Sequence, residues 1–112
     1  MQNEKWVVDI SKGIQVGGFL FEVDLSEKAH RSLVADNDSG QCDCRNKVIM
    51  VDYAECPQQV SKTFIHEVVE AVNHVFCADK IEHERIQQLS FGLHQVMESL
   101  GVRFGAPKPT SS

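Results

Sequence analysis

The sequence predicts an α+β domain in which a small antiparallel sheet packs on a two-helix hairpin. Three observations carry that expectation. The first half of the chain holds short apolar runs with the alternation of half-buried strands, broken at glycines. The second half holds two long stretches with apolar residues at helical spacing. The connection between those two stretches is very short, which makes them neighbours in space. With 112 residues, 42% of them apolar, the chain can build one modest core.

The elements follow in order. Residues 5–9 (Lys-Trp-Val-Val-Asp) form a short apolar run read as a strand. In residues 14–25, Phe19, Phe21, Val23 and Leu25 alternate with Leu20, Glu22 and Asp24, the period of a strand with one buried face. Gly17-Gly18 splits that stretch into a hairpin. Ser26 is an N-cap for a short helix carrying Ala29, Leu33 and Val34. Asp36-Asn37-Asp38-Ser39-Gly40 is a loop. Residues 47–53, rich in β-branched side chains, are the best strand.

Pro57 suits the first turn of a helix over residues 57–76, with Val60, Phe64, Val68 (or Ile65), Val72 and Val75 on its apolar face. Cys77-Ala78 is the connection, and Asp79 with Glu82 three residues on forms a capping box. The second helix carries an apolar stripe of Ile86, Leu89, Leu93, Met97 and Leu100, read as core, and ends at Gly101. Gly92 inside it costs about 1 kcal/mol against alanine and permits a close helix contact. The domain is expected over residues 1–104, and composition makes 105–112 a disordered tail.

Formal net charge is −5 without a Lys/Arg cluster, which argues against a nucleic-acid partner. No apolar run approaches the roughly 20 residues of a membrane span. The first residues lack the basic-then-apolar build of a signal peptide, so the expected location is the cytoplasm. In that reducing setting Cys42, Cys44, Cys56 and Cys77 read as thiols. They do not make paired C-x-x-C knuckles, so a structural zinc site is disfavoured. Cys56 and Cys77 are expected partly buried, and Cys42 or Cys44 in a turn.

The chemistry concentrates in Thr63-Phe64-Ile65-His66-Glu67-Val68-Val69-Glu70, an H-E-x-x-E pattern inside the first long helix. His66 and Glu70 are four residues apart, one turn along a single helix face, where two side chains can grip one ion. This is the H-E-x-x-H zinc-protease pattern with a carboxylate for its second histidine. Glu67 is placed to act on a water at the metal. A catalytic zinc needs a third protein ligand, and His83 is the best candidate. Counting equally from the connection places it opposite about Asn73, within about one turn of Glu70. Lying three residues before Ile86, it is expected on the inward side of the second helix.

Other groups fit less well. His74 lies eight residues beyond His66, a rise of about 12 Å, too far to share an ion. Glu84 points about 100° away from His83. His94 is three turns further on, and His30 reads as solvated surface. Two readings without catalysis stay open. One is a binding module that acts by contact. The other is a hydrogen-bonded Glu70–His83 core pair with no metal.

Three front segments, Gly17-Gly18-Phe19-Leu20-Phe21-Glu22-Val23, Gly40-Gln41-Cys42-Asp43 and Val48-Ile49-Met50-Val51, resemble small phage- and prophage-encoded metallopeptidases of zincin type. Further segments are similar too: Thr63 to Asn73, Ile81-Glu82-His83-Glu84-Arg85-Ile86, and Leu93-His94-Gln95-Val96-Met97. The likeness spans about residues 14–100. Many such proteins carry H-E-x-x-H-A followed by a glutamate near the position of His83. Others carry H-E-x-x-E-A followed by a histidine there, and this sequence looks like the second kind. The resemblance implies a minimal zincin-like fold and a Zn²⁺ site of His66, Glu70 and His83, or another divalent metal. Glu67 would be the catalytic base and a peptide or protein the substrate. An extended peptide could pair along residues 47–53, and Tyr53 is a candidate to help stabilise an oxyanion.

Overall fold

Burial ties the two halves of the chain together: Val16, Phe21, Ile49, Val51, Val60 and Phe64 come from separate segments and share one buried cluster. The structure, a computed structural model, describes residues 5–106. Its elements in chain order are β1 (Trp6–Asp9), β2 (Ile14–Val16), β3 (Phe19–Asp24), α1 (Glu27–Ala35), β4 (Gly40–Asp43), β5 (Val48–Val51), α2 (Pro57–Cys77), α3 (His83–Ser99) and β6 (Val102–Gly105). The fold is α+β, as the patterning predicts. No helix among the described residues is long and apolar enough to cross a membrane.

The sheet departs from expectation, because it is mixed rather than antiparallel. Its order is β2-β3-β5-β4, with β3 and β5 parallel and the other pairs antiparallel. Parallel neighbours need a long crossover, and residues 25–47, carrying α1 and β4, supply it. A second sheet pairs β1 with β6 in parallel. Strands β4 and β6 went unpredicted, since Gly40-Gln41-Cys42-Asp43 offers one apolar side chain and Val102-Arg103-Phe104-Gly105 alternates over too few residues to read, and both acquire strand form through their partners. β6 runs through Gly105, the residue at which composition started the tail. Residues 107–112 of that tail lie outside the described residues.

The helices follow the local signals closely at some ends and not at others. Ser26 caps α1, its hydroxyl accepting from the Ala29 N–H at 3.1 Å. His30 on α1 is not free surface: its Nδ1 lies 2.7 Å from the buried carboxylate of Asp52, tying α1 to the end of β5. The expected capping box at Asp79 does not form. Ala78 and Asp79 take left-handed backbone conformations (φ 52° and 60°), Glu82 is the N-cap, and the Asp79 carboxylate instead meets His74 Nδ1 at 2.9 Å.

The long helix α2 buries Val60, Phe64 and Ala71 against the sheet, while Val72 of the expected face is exposed. On α3 the difference is larger. Ile86, Ser90 and His94 are the buried row, whereas Leu89, Leu93 and Leu100 of the expected core stripe are exposed.

Gly40 sets how closely β4 approaches α2. A Cβ at Gly40 would overlap the Thr63 methyl and come within 3.1 Å of Met50 O and 3.2 Å of Glu67 Oε2. Gly40→Ala is expected to destabilise the fold by about 1–3 kcal/mol, as overpacking does. Chemical denaturation measures this, and an unchanged midpoint would contradict the tight β4–α2 contact.

Candidate metal centre

His66 and Glu70 lie one turn apart on α2, and His66 Nε2 is 3.5 Å from Glu70 Oε2. His83 opens α3, and its Nδ1 is 3.1 Å from the same Glu70 oxygen. The two imidazole rings stand edge to face, 5.6 Å between centroids. One donor atom from each of the three residues falls within 4.8 Å of the others. Bonds of about 2.0–2.2 Å in a tetrahedron put ligand atoms about 3.3–3.6 Å apart, so the two shorter separations are close to that spacing. The three residues expected from the sequence thus come together.

Two side chains that the sequence did not single out hold this geometry. Ser90 on α3 donates its hydroxyl proton to Gln87 O at 3.0 Å. Its oxygen is then free to accept from His66 Nδ1, 3.2 Å away. That arrangement keeps the imidazole proton on Nδ1 and leaves the Nε2 lone pair facing Glu70, the tautomer a metal ligand needs. Buried Asn73 grips the α2–α3 connection from both sides, its Nδ2 donating to Ile81 O and its Oδ1 accepting from Ile81 N, each at 3.1 Å. This clamp fixes where α3 starts, and therefore where His83 stands. Ser90 was traceable as the residue one turn beyond Ile86 on the same helix row.

His83 itself is not inward. Its side chain is 74% exposed and Glu70's 27%, so their contact is a rim pair and not the buried core pair that the metal-free reading requires. The remaining histidines stay outside the group: His74 binds Asp79, His30 binds Asp52, and buried His94 has its Nε2 3.8 Å from Glu98 Oε2 without a hydrogen bond. Tyr53 is also elsewhere, donating its hydroxyl to Ala106 O at 2.9 Å on another face of the molecule.

The centre sits in an open cleft of about 540 Å³ walled by α2, α3 and β4. Gly40, Gln41 and Cys42 of β4 form one wall, and Lys62 over the Phe91 ring, at 4.2 Å, forms part of another. β5 has partners on both sides, so the expected pairing along residues 47–53 has no free edge there, and β4 is the sheet's edge at the cleft. Cys42 and Cys44 bring their sulfurs to 3.5 Å as thiols, with Cys44 in a turn, and burial holds the Cys42 thiol well above its usual range. Cys77 is half-buried, but Cys56 is exposed rather than partly buried.

Glu67 is buried and lines the same cleft. Its carboxyl is pushed up from 4.5 to about 8, first by burial and then by the charges of Glu70 and Asp38. A proton held more tightly in the folded than in the unfolded chain stabilises the fold fully below the unfolded value, and that contribution is lost as pH rises through the folded one. Metal-free protein should therefore lose stability between about pH 4.5 and pH 8 relative to Glu67→Gln, on the order of 3–5 kcal/mol. Denaturation midpoints across that range test it, and parallel profiles for the two proteins would contradict it.

No protein-family model, no curated protein and no solved structure matches the chain.

Proposed function

We propose that the protein is a zinc-dependent hydrolase of zincin-like build, acting on peptide bonds. His66, Glu70 and His83 hold the ion and Glu67 is the general base. The observation that carries this reading is the convergence of three lone-pair donors from two helices, with the His66 proton held on the far nitrogen by Ser90. Two imidazoles and one carboxylate are the donor set of His₂Glu catalytic sites. Bound there, Zn²⁺ would supply a Lewis acid that polarises the scissile carbonyl and lowers the pKa of water.

The chain's own groups do the rest. Beside a bound dication the Glu67 carboxyl, protonated at neutral pH in the metal-free protein, would lose its proton; as the carboxylate, next to the first ligand, it takes a proton from the attacking water and returns it to the leaving amine as the C–N bond breaks. An extended substrate adds along the open edge of β4, main chain to main chain, which brings it past Gly40, Gln41 and Cys42 into the cleft. The shallow, open cleft suits a peptide segment crossing it better than a small molecule enclosed by it.

Protein purified without added metal or a histidine tag is expected to carry about one equivalent of zinc, lost in His66→Ala and in His83→Ala. Ser90→Ala keeps all three ligands and should weaken zinc affinity about 10–100-fold. Glu67→Gln should keep the metal and lose hydrolysis of a broad peptide library. Protein that stays metal-free after reconstitution would refute the metal site. Metal without any hydrolysis by the wild type would leave a non-catalytic binding module.

A further inference from the structure

Lys62 stands in the same row of α2 as two of the donor residues. Residues 62, 66 and 70 are spaced by one helical turn, so each lies about 6 Å further along one face. Lys62 is half-buried, and it is the only lysine or arginine that lines the metal cleft among the described residues. Its Nζ rests over the Phe91 ring at 4.2 Å and has no carboxylate partner among the described residues, whereas Lys5 and Arg103 both pair with Glu98. An ammonium held this way has given up part of its hydration for less than a full counter-charge.

Past Lys62 the cleft runs on into a second pocket of about 400 Å³. The two share Gln59, Lys62 and Phe91. Their charge differs. Asp38, Glu67 and Glu70 line the metal cleft, but no carboxylate lines the second pocket. Cys56, the N-cap of α2, lies in its wall and makes no side-chain cap hydrogen bond. The positive end of a 21-residue helix is therefore left without a side-chain cap there. His94 lines the same pocket; it is 8% exposed and its Nε2 has no hydrogen-bond partner. An ammonium without a carboxylate, an uncapped helix start and a buried imidazole without a hydrogen bond together suit an anion.

We propose that this second pocket receives a carboxylate of the peptide substrate and that Lys62 is its counter-ion. The inference rests on the peptidase reading above and narrows which peptides that site takes. An extended residue spans about 3.4 Å, so the offset of about 6 Å between His66 and Lys62 puts the carboxylate about one or two residues from the scissile bond. Its source is the peptide's own C-terminus or an Asp or Glu side chain, which offer an ammonium the same pair of oxygens. Lys62 holds and orients the substrate and takes no part in bond breaking.

Isothermal titration of the full chain with short N-acetylated peptides, identical except for a C-terminal carboxylate or carboxamide, tests this. Zinc is stripped beforehand, so that neither hydrolysis nor a carboxylate on the metal enters the reading. The wild type is expected to bind the acid roughly tenfold more tightly than the amide. Lys62→Met keeps an unbranched stem against Phe91 and should bring the two peptides within about twofold, and Lys62→Arg should restore the preference. A third peptide, amidated and carrying one aspartate, separates the sources. Affinity equal to the acid's assigns the pocket to side chains, and affinity equal to the amide's assigns it to the chain terminus. Equal binding of acid and amide by the wild type, binding of neither, or a preference that survives in Lys62→Met would overturn the proposal. A Lys62-dependent preference in protein that cannot be reconstituted with zinc would keep the carboxylate pocket and remove the peptidase reading. Zinc-dependent hydrolysis of acid and amide with equal kcat/KM would keep the peptidase reading and remove the pocket.

Discussion

Everything in this fold depends on the burial of α2 on several sides at once. The sheet covers Val60, Phe64 and Ala71, β6 lies against Ser61, and α3 covers the side that carries His66 and Glu70. The polar side chains on the buried faces of this helix cannot be left without partners. Ser61 accepts from the Phe104 N–H at 2.9 Å, Thr63 accepts from Gln59 at 3.1 Å, and Asn73 holds Ile81. Glu67 faces the cleft instead, and burial, then the charges of Glu70 and Asp38, hold its carboxyl above the usual carboxylate range.

The same wrapping explains why the donor group converges. α3 runs back along α2, so that residues near the connection face each other: Glu70 meets His83, His66 meets Ser90, and Lys62 meets Phe91. The Asn73 clamp sets the register of that pairing and Ser90 sets the imidazole tautomer. Both are supporting contacts that orient donor atoms rather than donate to an ion. β4 completes the cleft only because Gly40 has no side chain to hold it away from Thr63.

α3 also divides its labour by direction. One side packs on α2, a second lines the cleft through Gln87 and Phe91, and a third presents an uncovered apolar row. A helix with three functions leaves no solvated apolar-free face on which a simple two-sided amphipathic pattern could be written. That is why the apolar stripe of α3, read alone, mistook an exposed surface for core.

What the sequence determined by itself was local. Periodicity marked the helices α2 and α3 and the strand β3, because side-chain spacing is imposed by backbone geometry within each element, while a cap, a glycine break and apolar or β-branched composition marked α1, β2, β1 and β5. The i, i+4 spacing of His66 and Glu70 and the short connection before His83 made the donor group legible for the same reason. What only the tertiary structure decided was non-local. The parallel pairing of β3 with β5 and the existence of β4 and β6 depend on partners distant in sequence. So do the roles of Ser90 and Asn73 and the side of α3 that is covered. Hydrogen bonds to a remote strand and burial against a remote helix leave no fixed spacing in the chain to be read.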